Sequence, residues 1–430
     1  MGALLASTSL VVSASAESKA RIVRLSDVEG SVQIERAAGE GLEKAFLNLP
    51  IVEGSRLKTG VDGKAEVEFE DGSTLHLGSL SELAFPRLAL GDGGQKLNTV
   101  QLISGTAYAN FHAGKGDQLL LNFAQESLAV PGSAHFRVVL DSANHATVAV
   151  FTGSVKASGP SGDFEVAEKH AATIDLSATD SANKDAFAIA KNIESEPLDG
   201  WDRQQTAYHE RYANAGGSGF SSPYGYGVSD LNYYGNFMTV PGYGFAWQPF
   251  FVDAAWSPFM DGAWAYYPGL GYTWISGYPW GWMPYYYGNW AFVPPYGWIW
   301  VPGNSWNTWY GVPRVLNPPA RTRIPVAPAS GRQLVLVGKG LTSNSGFVSG
   351  KLTINPGSAG YGVPRGSNHL ERAAKKMEQT SAPVVVAAQP PSPQPSNGNG
   401  GFAPIPQGSR STAPMPASHR APAPVVRAPH

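Results

Sequence analysis

A serine and a lysine near the start of the chain are the first residues whose spacing could support catalysis. Ser55 and Lys58 fit an S-x-x-K pattern, and Lys58-Thr59-Gly60 fits the K-T-G pattern that accompanies it in serine acyl-transfer enzymes. Those enzymes use two separate lysines, and their S-x-x-K opens a helix. Here both patterns share Lys58, and the neighbouring residues alternate as they do in strands. We therefore predict that Ser55 lies in a β-turn and is not a nucleophile.

The acidic and imidazole side chains show no metal-binding spacing. No two of the nine histidines stand four residues apart, and His209-Glu210 lacks the second histidine of a zinc-protease helix. The chain has no cysteine, which excludes disulfides, thiolate-bound zinc and thiol catalysis. Four acidic residues beside glycines lack the D-x-D-x-D spacing of a calcium loop and are predicted turn residues: Glu53, Asp62, Asp71 and Asp92. We predict no catalytic residue, no metal and no cofactor.

Tryptophan is concentrated in one aromatic segment. Eleven of the twelve tryptophans lie between Trp247 and Trp309, and no Lys or Arg occurs between Tyr212 and Pro313. The pattern aromatic–x–x–x–Pro–x–x–Gly–aromatic–x–Trp occurs three times with a period of 26 to 27 residues. Its copies begin at Phe237, Trp264 and Trp290. Each copy predicts two short strands around a Pro/Gly turn, with aromatic residues two apart on one face.

These aromatic rings have three interpretations. They form a core, they form an exposed platform for a glycan or a protein, or they contact lipid head groups. The absence of basic residues argues against anionic lipid and nucleic acid as ligands of this segment. The candidate platform residues crowd both alternating positions and cannot all face inward: Trp280, Trp282, Tyr285, Tyr286, Tyr287 and Trp306.

Residues 20–178 predict an all-β domain. Short runs such as Ala65-Glu66-Val67-Glu68-Phe69 alternate apolar with polar residues, and turn signals separate them. Gly60 and Gly72 are expected to supply the φ angles that tight turns need, and Asp71 to bond its own backbone. The predicted strands are 21–25, 31–35, 65–69, 74–77, 119–123, 136–140, 146–151 and 154–156.

The remaining segments predict a connector, a second β domain and a tail. Helices are expected over 185–193 and over 200–213, within a connector of residues 184–213. The aromatic β-repeat domain spans 222–312. Residues 313–380 are expected to be irregular, with a hairpin of 333–337 against 350–354 and a helix over 369–379. The Pro- and Ala-rich tail, 381–430, is expected to be disordered.

The N-terminus predicts export. A short apolar run precedes Ala14-Ser15-Ala16, an A-x-A cleavage site, so residues 1–16 read as a signal peptide, although Met1-Gly2-Ala3 carries no positive charge. No later stretch reaches about 18 uninterrupted apolar residues, and no membrane-spanning helix is expected. We predict a periplasmic or secreted protein. From Gly311 onward there are 13 Lys and Arg against two acidic residues. Because the net charge of the whole chain is −2, the net charge of the residues before Gly311 is about −13.

The order of motifs in the first domain resembles the FecR-type periplasmic domain. The matching segments are Gly30-Ser31-Val32, residues 52–60, residues 65–67, residues 69–73, residues 102–105 and Gly153-Ser154-Val155. The resemblance implies an all-β roll or solenoid-like fold and a protein-interaction role. Full-length FecR-type regulators carry a cytoplasmic anti-sigma segment and a transmembrane helix ahead of this domain. Neither is visible here, so transmembrane sigma regulation is not expected.

The aromatic segment resembles a second family. Residues 224–235, rich in Tyr and Gly, look like the start of a Trp/Tyr-rich bacterial domain of unknown function that commonly follows FecR-type domains. Together the two resemblances predict a non-enzymatic envelope protein that binds a protein, a glycan or peptidoglycan as a scaffold. The alternative is a periplasmic signalling accessory related to FecR-type regulators, and a hydrolase is the third reading.

Overall fold

The computed structural model of the chain is mainly β. It describes residues 21–36, 39–178, 186–213, 225–269, 271–306, 315–329, 334–338, 347–348, 351–366, 369–380 and 382–387. Within these residues lie 28 strands and four helices, which confirms the predicted fold class. None of the described helices combines the length and the apolar character needed to cross a membrane. The predicted signal peptide, 1–16, and residues 388–430 of the predicted tail lie outside the described residues.

The N-terminal part consists of seventeen strands. All eight predicted strands are present, with boundaries that differ by a few residues. In chain order the strands are β1 (Val23–Glu29), β2 (Val32–Glu35), β3 (Glu43–Lys44), β4 (Pro50–Ile51), β5 (Arg56–Thr59), β6 (Lys64–Glu68), β7 (Thr74–Leu77), β8 (Glu82–Leu90), β9 (Lys96–Phe111), β10 (Gln118–Phe123), β11 (Glu126–Val130), β12 (Ala134–Leu140), β13 (His145–Thr152), β14 (Ser154–Ser158), β15 (Phe164–Ala167), β16 (His170–Asp175) and β17 (Phe187–Ala190).

The long strand β9 belongs to two layers of sheet. Its first half pairs with β8 and, in parallel, with β10, whereas its second half pairs with β7 and β12. The layers meet where β9 bends, and there the Ser81 hydroxyl accepts a hydrogen bond from the Thr106 amide at 2.8 Å. Aliphatic side chains from both layers, such as Val67, Leu102 and Val138, form one buried core. The alternation of the strands produces this core because every second side chain faces inward.

The connector contains one helix where two were expected. Helix α1 (Asp199–Ala213) matches the predicted second helix, and the Asp199 carboxylate accepts a hydrogen bond from the Glu196 amide at 2.9 Å. The helix predicted over 185–193 is wrong, because Phe187–Ala190 forms β17 and pairs with β16. The open edge of β16 offers backbone partners, and Phe187 stacks on Phe164 with ring centroids 3.9 Å apart. Tertiary contacts therefore override the local helical tendency.

The aromatic segment folds as three hairpins. Its elements are α2 (Val228–Tyr234), β18 (Gly235–Val240), β19 (Gly244–Pro249), β20 (Gly262–Tyr267), β21 (Gly271–Ser276), α3 (Met283–Tyr286), β22 (Tyr287–Val293) and β23 (Gly297–Trp306). Each hairpin contains one copy of the predicted repeat, as two strands around a Pro/Gly turn. The first and last aromatic residues of each copy are cross-strand partners: Phe237 with Trp247, Trp264 with Trp274, and Trp290 with Trp300.

The C-terminal part adds one strand to each of two aromatic sheets and forms a three-stranded sheet of its own. Its elements are β24 (Val315–Leu316), β25 (Leu334–Val337), β26 (Phe347–Val348), β27 (Lys351–Ile354), α4 (Leu370–Thr380) and β28 (Val384–Ala387). The predicted helix over 369–379 is confirmed by α4. The predicted hairpin of 333–337 against 350–354 is wrong, because β25 pairs with β20, and β27 pairs with β26 and β28. Residues 384–387, expected within a disordered tail, form β28.

Two large apolar clusters contact each other. The second cluster is aromatic, and besides the hairpin tryptophans it includes Ile22 from the N-terminal part and Met377 from α4. Tyr267 of β20 lies in the aliphatic cluster and donates a hydrogen bond of 2.6 Å from its hydroxyl to the Pro50 carbonyl. The Asn48 side chain donates to the carbonyls of Ser276 and Tyr278 at 3.1 and 2.7 Å. The aromatic hairpins thus pack directly on the N-terminal sheets.

Candidate functional site

Five of the six candidate platform residues are buried. Trp280, Trp282, Tyr285, Tyr286 and Tyr287 are between 0 and 3% exposed, and the side chain of Trp306 lies outside the described residues. We expected some rings of this set to be exposed to solvent, and for these five residues that expectation is wrong. Their segment runs into the short helix α3, which turns side chains inward that a continuous strand would alternate between its two faces.

Mutual ring contacts explain this burial. The Trp280 ring lies 4.9 Å from that of Trp247 and stacks on Tyr278 at 5.0 Å, measured between centroids. The Trp282 ring contacts Tyr286 edge to face at 4.7 Å. Offset and edge-to-face pairs of this kind are favourable beyond the area that they bury. The aromatic segment has few aliphatic residues, and the aromatic residues of its repeat form the core in their place.

The polar atoms of these rings are largely used inside the protein. The Trp280 indole N–H donates to the Ala359 carbonyl at 2.7 Å. The Tyr285 hydroxyl donates to the Pro258 carbonyl, and the Tyr286 hydroxyl donates to the Trp274 carbonyl at 3.0 Å. Burial raises the pKa of both tyrosines above the ordinary value. These hydroxyls are hydrogen-bond donors in the core, so they are not available to an external glycan.

A buried network of charges joins the sheets to the aromatic hairpins. The fully buried Arg24 of β1 is its centre, with Nη1 lying 3.0 Å from the Glu68 carboxylate and 2.6 Å from that of Asp230 in α2. Its Nη2 donates to the carbonyl of Pro279 at 2.8 Å, and its Nε to Asn48 at 3.0 Å. A buried guanidinium requires such partners, because an unpaired one has a large desolvation cost.

A second arginine extends the network from the C-terminal part. Arg365 lies 2.6 Å from Glu66 and 3.2 Å from Asp230, and His209 of α1 lies 2.9 Å from Glu66. Burial alone raises the pKa of Glu66, but the charges of His209 and Arg365 more than offset it and hold the pKa well below its usual range. Glu66 is therefore an ionised carboxylate in the interior, and it is stabilised by cations from two distant segments.

His76 of β7 links the network to the first turn of α1. Its Nδ1 lies 2.8 Å from Asp202, and its Nε2 lies 3.2 Å from Glu66. Burial lowers the pKa of His76, but its hydrogen bond to Asp202 and its charge contact with Glu66 raise it to about 9. Asp202 also pairs with His135 at 2.9 Å. Burial raises the pKa of Asp202, and the bonds from His135 and His76 lower it to about 2. His76 is consequently a cation at neutral pH.

Sequence reasoning missed this network. His76 and Asp202 are 126 residues apart, so no local spacing connects them. The signal that could have indicated it is the periodicity of α1, where Asp202, Gln205 and His209 recur on one face between aromatic anchors. Among the described residues, no group of His, Asp and Glu is arranged to hold a metal ion. The network is thus best explained as a set of ion pairs between segments.

The serine–lysine pattern has a structural role. The Ser55 hydroxyl donates to the Arg36 carbonyl at 3.1 Å and accepts from the Val52 amide at 3.2 Å. Lys58 points elsewhere and pairs with Glu82 at 3.2 Å. Ser55 lies directly before β5, as its prediction in a turn requires. No described general base lies within hydrogen-bond reach of its hydroxyl.

The three predicted turn residues behave differently. Asp71 accepts a hydrogen bond from the Ser73 amide at 2.9 Å, and Gly72 has a φ of +83°, as the turn between β6 and β7 requires. Gly60 does not have a positive φ, so that part of the prediction is wrong. Gly60 instead allows its backbone to lie close to Ser31, because a Cβ at Gly60 would lie 2.9 Å from the Cβ of Ser31.

Two segments of the chain match known protein families. Residues 55–156 match the model of the family described as FecR protein. Residues 228–321 match the family of unknown function DUF6600. The chain carries a FecR domain followed by a DUF6600 domain. No curated protein matches the chain.

Two solved structures resemble part of the chain. Both are crystal structures of a "putative anti-sigma factor" from Parabacteroides distasonis. The first is 18% identical, with a TM-score of 0.28. The matched region is 34% of this chain and 63% of the solved one. The second is 16% identical with a TM-score of 0.29, with coverage of 71% and 36%. Similarity at this level carries no argument about activity.

The charge network connects the two matched segments. Glu66, Glu68 and His76 belong to the FecR domain, and Asp230 belongs to the DUF6600 domain. Arg24 and Arg365 lie outside both matched ranges, and each contacts a carboxylate from both domains. Segments flanking the two families therefore supply the cations that hold the two domains together.

Proposed function

We propose that this chain is a FecR-related accessory protein that acts outside the cytoplasm by binding a protein partner, without catalysing a reaction. The FecR match supports a regulatory role, and the A-x-A site after a short apolar run supports export. The interior positions of the platform tyrosines and tryptophans remove the observation that favoured a glycan ligand. The FecR match is what favours a protein partner, which is the role that we predicted for this domain.

The observation that carries this proposal is an exposed apolar corner of the FecR domain. Val61, Leu80 and Ile103 are 60%, 62% and 46% exposed. They belong to the β5–β6 turn, the β7–β8 turn and the middle of β9, where the chain passes between the two layers of sheet. Solvent-exposed apolar side chains grouped on one surface commonly indicate an interaction site. We name these three residues the apolar corner.

A backbone contact joins the two turns that carry Val61 and Leu80. The Leu80 amide donates to the carbonyl of Gly60 at 3.0 Å, which places the two turns side by side. Ile103 is the unpaired residue of a β-bulge, because Glu82 pairs with Ser104 while Leu83 pairs with Leu102. A bulge of this kind re-aims a side chain out of the sheet. Leu80 itself has a φ of +53°, an unusual angle for leucine at an exposed position.

The buried charge network makes the corner part of a rigid body. Because Arg24 and Arg365 contact both domains, the FecR domain cannot rotate against the aromatic hairpins without breaking buried ion pairs. Such a break leaves carboxylates unpaired in the interior, which is strongly unfavourable. A partner bound at the apolar corner therefore contacts a surface that is already organised, so little binding energy is lost to ordering.

Site-specific photo-crosslinking tests the proposal in the native host. A crosslinker at position 103 should trap a defined envelope protein, and the double variant Val61→Asn/Leu80→Asn should reduce this product at least about tenfold. Asn tolerates the positive φ of position 80, so the fold should be retained. The matched control is Val385→Asn, which changes an equally exposed valine on β28. Equal crosslinking by all variants, or a cytoplasmic location on fractionation, would contradict the proposal.

A further inference from the structure

An aromatic cleft lies in the DUF6600 domain, away from the apolar corner. Its volume is about 580 Å³, and it is bounded by the loop of residues 254–260 and by residues 319–325. Trp256, Phe259 and Trp298 form its inner wall, where each is almost fully buried. Met260 at the rim is 47% exposed. The cleft is thus an open groove with an apolar floor, large enough for one or two side chains of a ligand.

Two arginines line the cleft without a counter-charge. Arg321 and Arg323 are exposed, and the described residues that line the cleft include no Asp or Glu. Neither guanidinium forms a hydrogen bond or an ion pair within the described part of the chain. Arg321 lies in a turn in which the Thr322 amide donates to the Pro319 carbonyl at 2.9 Å, and Thr322 is half-buried between the two exposed arginines. Two like charges held close together favour a ligand that carries negative charge.

The two arginines and the aromatic wall together suit an acidic peptide. Side chains two apart in an extended peptide lie on the same side and are separated by roughly 6–7 Å, so two carboxylates of such a partner can reach two neighbouring guanidinium groups. Two cations are too few for a nucleic-acid backbone, which is bound through many phosphate contacts. A small inorganic anion would leave the aromatic wall uncovered. An acidic peptide with an apolar side chain uses both features at once.

We propose that this cleft binds an extended acidic segment of a partner protein. Carboxylates of that segment pair with Arg321 and Arg323, and a neighbouring apolar side chain enters the groove against Trp256, Trp298 and Met260. This second interaction site goes beyond the proposed function, and it does not depend on the apolar corner. Charge pairs at the rim set orientation and rate of association, and the aromatic wall supplies the buried area.

A defined peptide tests this site with the full chain. The probe is a fluorescein-labelled peptide of alternating Glu and Phe, and the measurements are fluorescence anisotropy and the Trp emission of the protein. We expect saturable binding, at least about tenfold weaker for the analogue with Gln in place of Glu and for Arg321→Glu/Arg323→Glu. Met260→Ala should weaken binding about threefold, because it removes an exposed apolar contact.

A matched variant separates local pairing from overall charge. Arg87→Glu/Lys156→Glu makes the same change of charge at two exposed residues of the FecR domain, and it should bind the peptide as the unmodified chain does. Equal weakening by both double variants would overturn the proposal. So would an absence of binding at millimolar peptide, or arginine-dependent binding to phosphatidylglycerol vesicles without binding to the peptide. None of these outcomes affects the crosslinking test at position 103.

Discussion

Gly262 lies against the indole ring of Trp274, which belongs to the opposite strand of the second aromatic hairpin. A Cβ at position 262 would lie 2.3 Å from Cζ2 of Trp274 and 2.5 Å from the Ile275 carbonyl oxygen. The first hairpin repeats the arrangement, since a Cβ at Gly235 would lie 2.3 Å from Cζ2 of Trp247. The glycine two residues before the first aromatic residue is therefore part of the repeat. Its missing side chain makes room for the indole ring of the tryptophan at the end of the same repeat.

The first prediction follows from this contact. Gly262→Ala should lower the free energy of unfolding by about 2–3 kcal/mol, because the added methyl group overlaps a buried ring and a carbonyl. Gly132→Ala is the control, since nothing lies within 4 Å of a Cβ built there. That variant should change stability by less than about 0.5 kcal/mol. Urea unfolding followed by Trp fluorescence measures both, and equal effects would argue against the ring contact.

The second prediction compares two buried tryptophans that differ in one hydrogen bond. Trp280 donates its indole N–H to the Ala359 carbonyl at 2.7 Å, whereas the Trp282 N–H has no acceptor among the described atoms. Trp280→Phe should therefore destabilise the protein by about 1 kcal/mol more than Trp282→Phe does. Both variants lose similar ring area, so their difference reports the hydrogen bond. A larger loss for Trp282→Phe in urea unfolding would refute this assignment.

The third prediction concerns the interdomain ion pairs. Arg24→Met should cost about 3–5 kcal/mol of stability, because it leaves the carboxylates of Glu68 and Asp230 buried without their shared cation. Arg56→Met is the control, because Arg56 pairs with Glu35 and Glu82 at the protein surface. Its loss should cost no more than about 1 kcal/mol. Calorimetry should show the difference in unfolding temperature, and similar shifts for both variants would contradict the central role of Arg24.

The fourth prediction concerns pH. The pKa of His76 is raised from 6.5 to about 9 in the folded protein, where its ring faces Glu66 and Asp202. Folding therefore favours the protonated ring, and this contribution is fully present below pH 6.5 and is lost as the pH rises through 9. The free energy of unfolding should therefore decrease as the pH rises from 6.5 to about 9.

His76→Gln isolates this pH effect. The variant keeps a hydrogen-bonding side chain but cannot gain the proton, so its stability should depend less on pH over the same interval. His112→Gln, on the sheet surface, should keep the pH dependence of the unmodified chain. NMR titration of the His76 ring provides a direct check. A midpoint near 6.5 would show that the carboxylates do not hold the proton.

The repeat and the alternating strands were readable from the sequence because their contacts are local. Phe237 and Trp247 are joined by one turn, so the spacing of the repeat is enough to predict that they meet. The period-two pattern of residues 65–69 likewise predicts which side chains face the core. The Asp71-Gly72 turn is decided by its own side chain and by a positive φ. In each case the deciding interactions lie within a few residues of one another.

Only the tertiary structure decided which rings are buried, which strands pair and which charges meet. The strand β17 forms because β16 presents an open edge, and its own residues do not specify this. Trp280 and Tyr285 are internal because α3 and the loop at Pro258 close over them. Arg24 and Asp230 are brought together by the docking of two domains. Such contacts depend on many weak interactions between residues that are far apart in the sequence. The type and spacing of neighbouring residues therefore do not predict them.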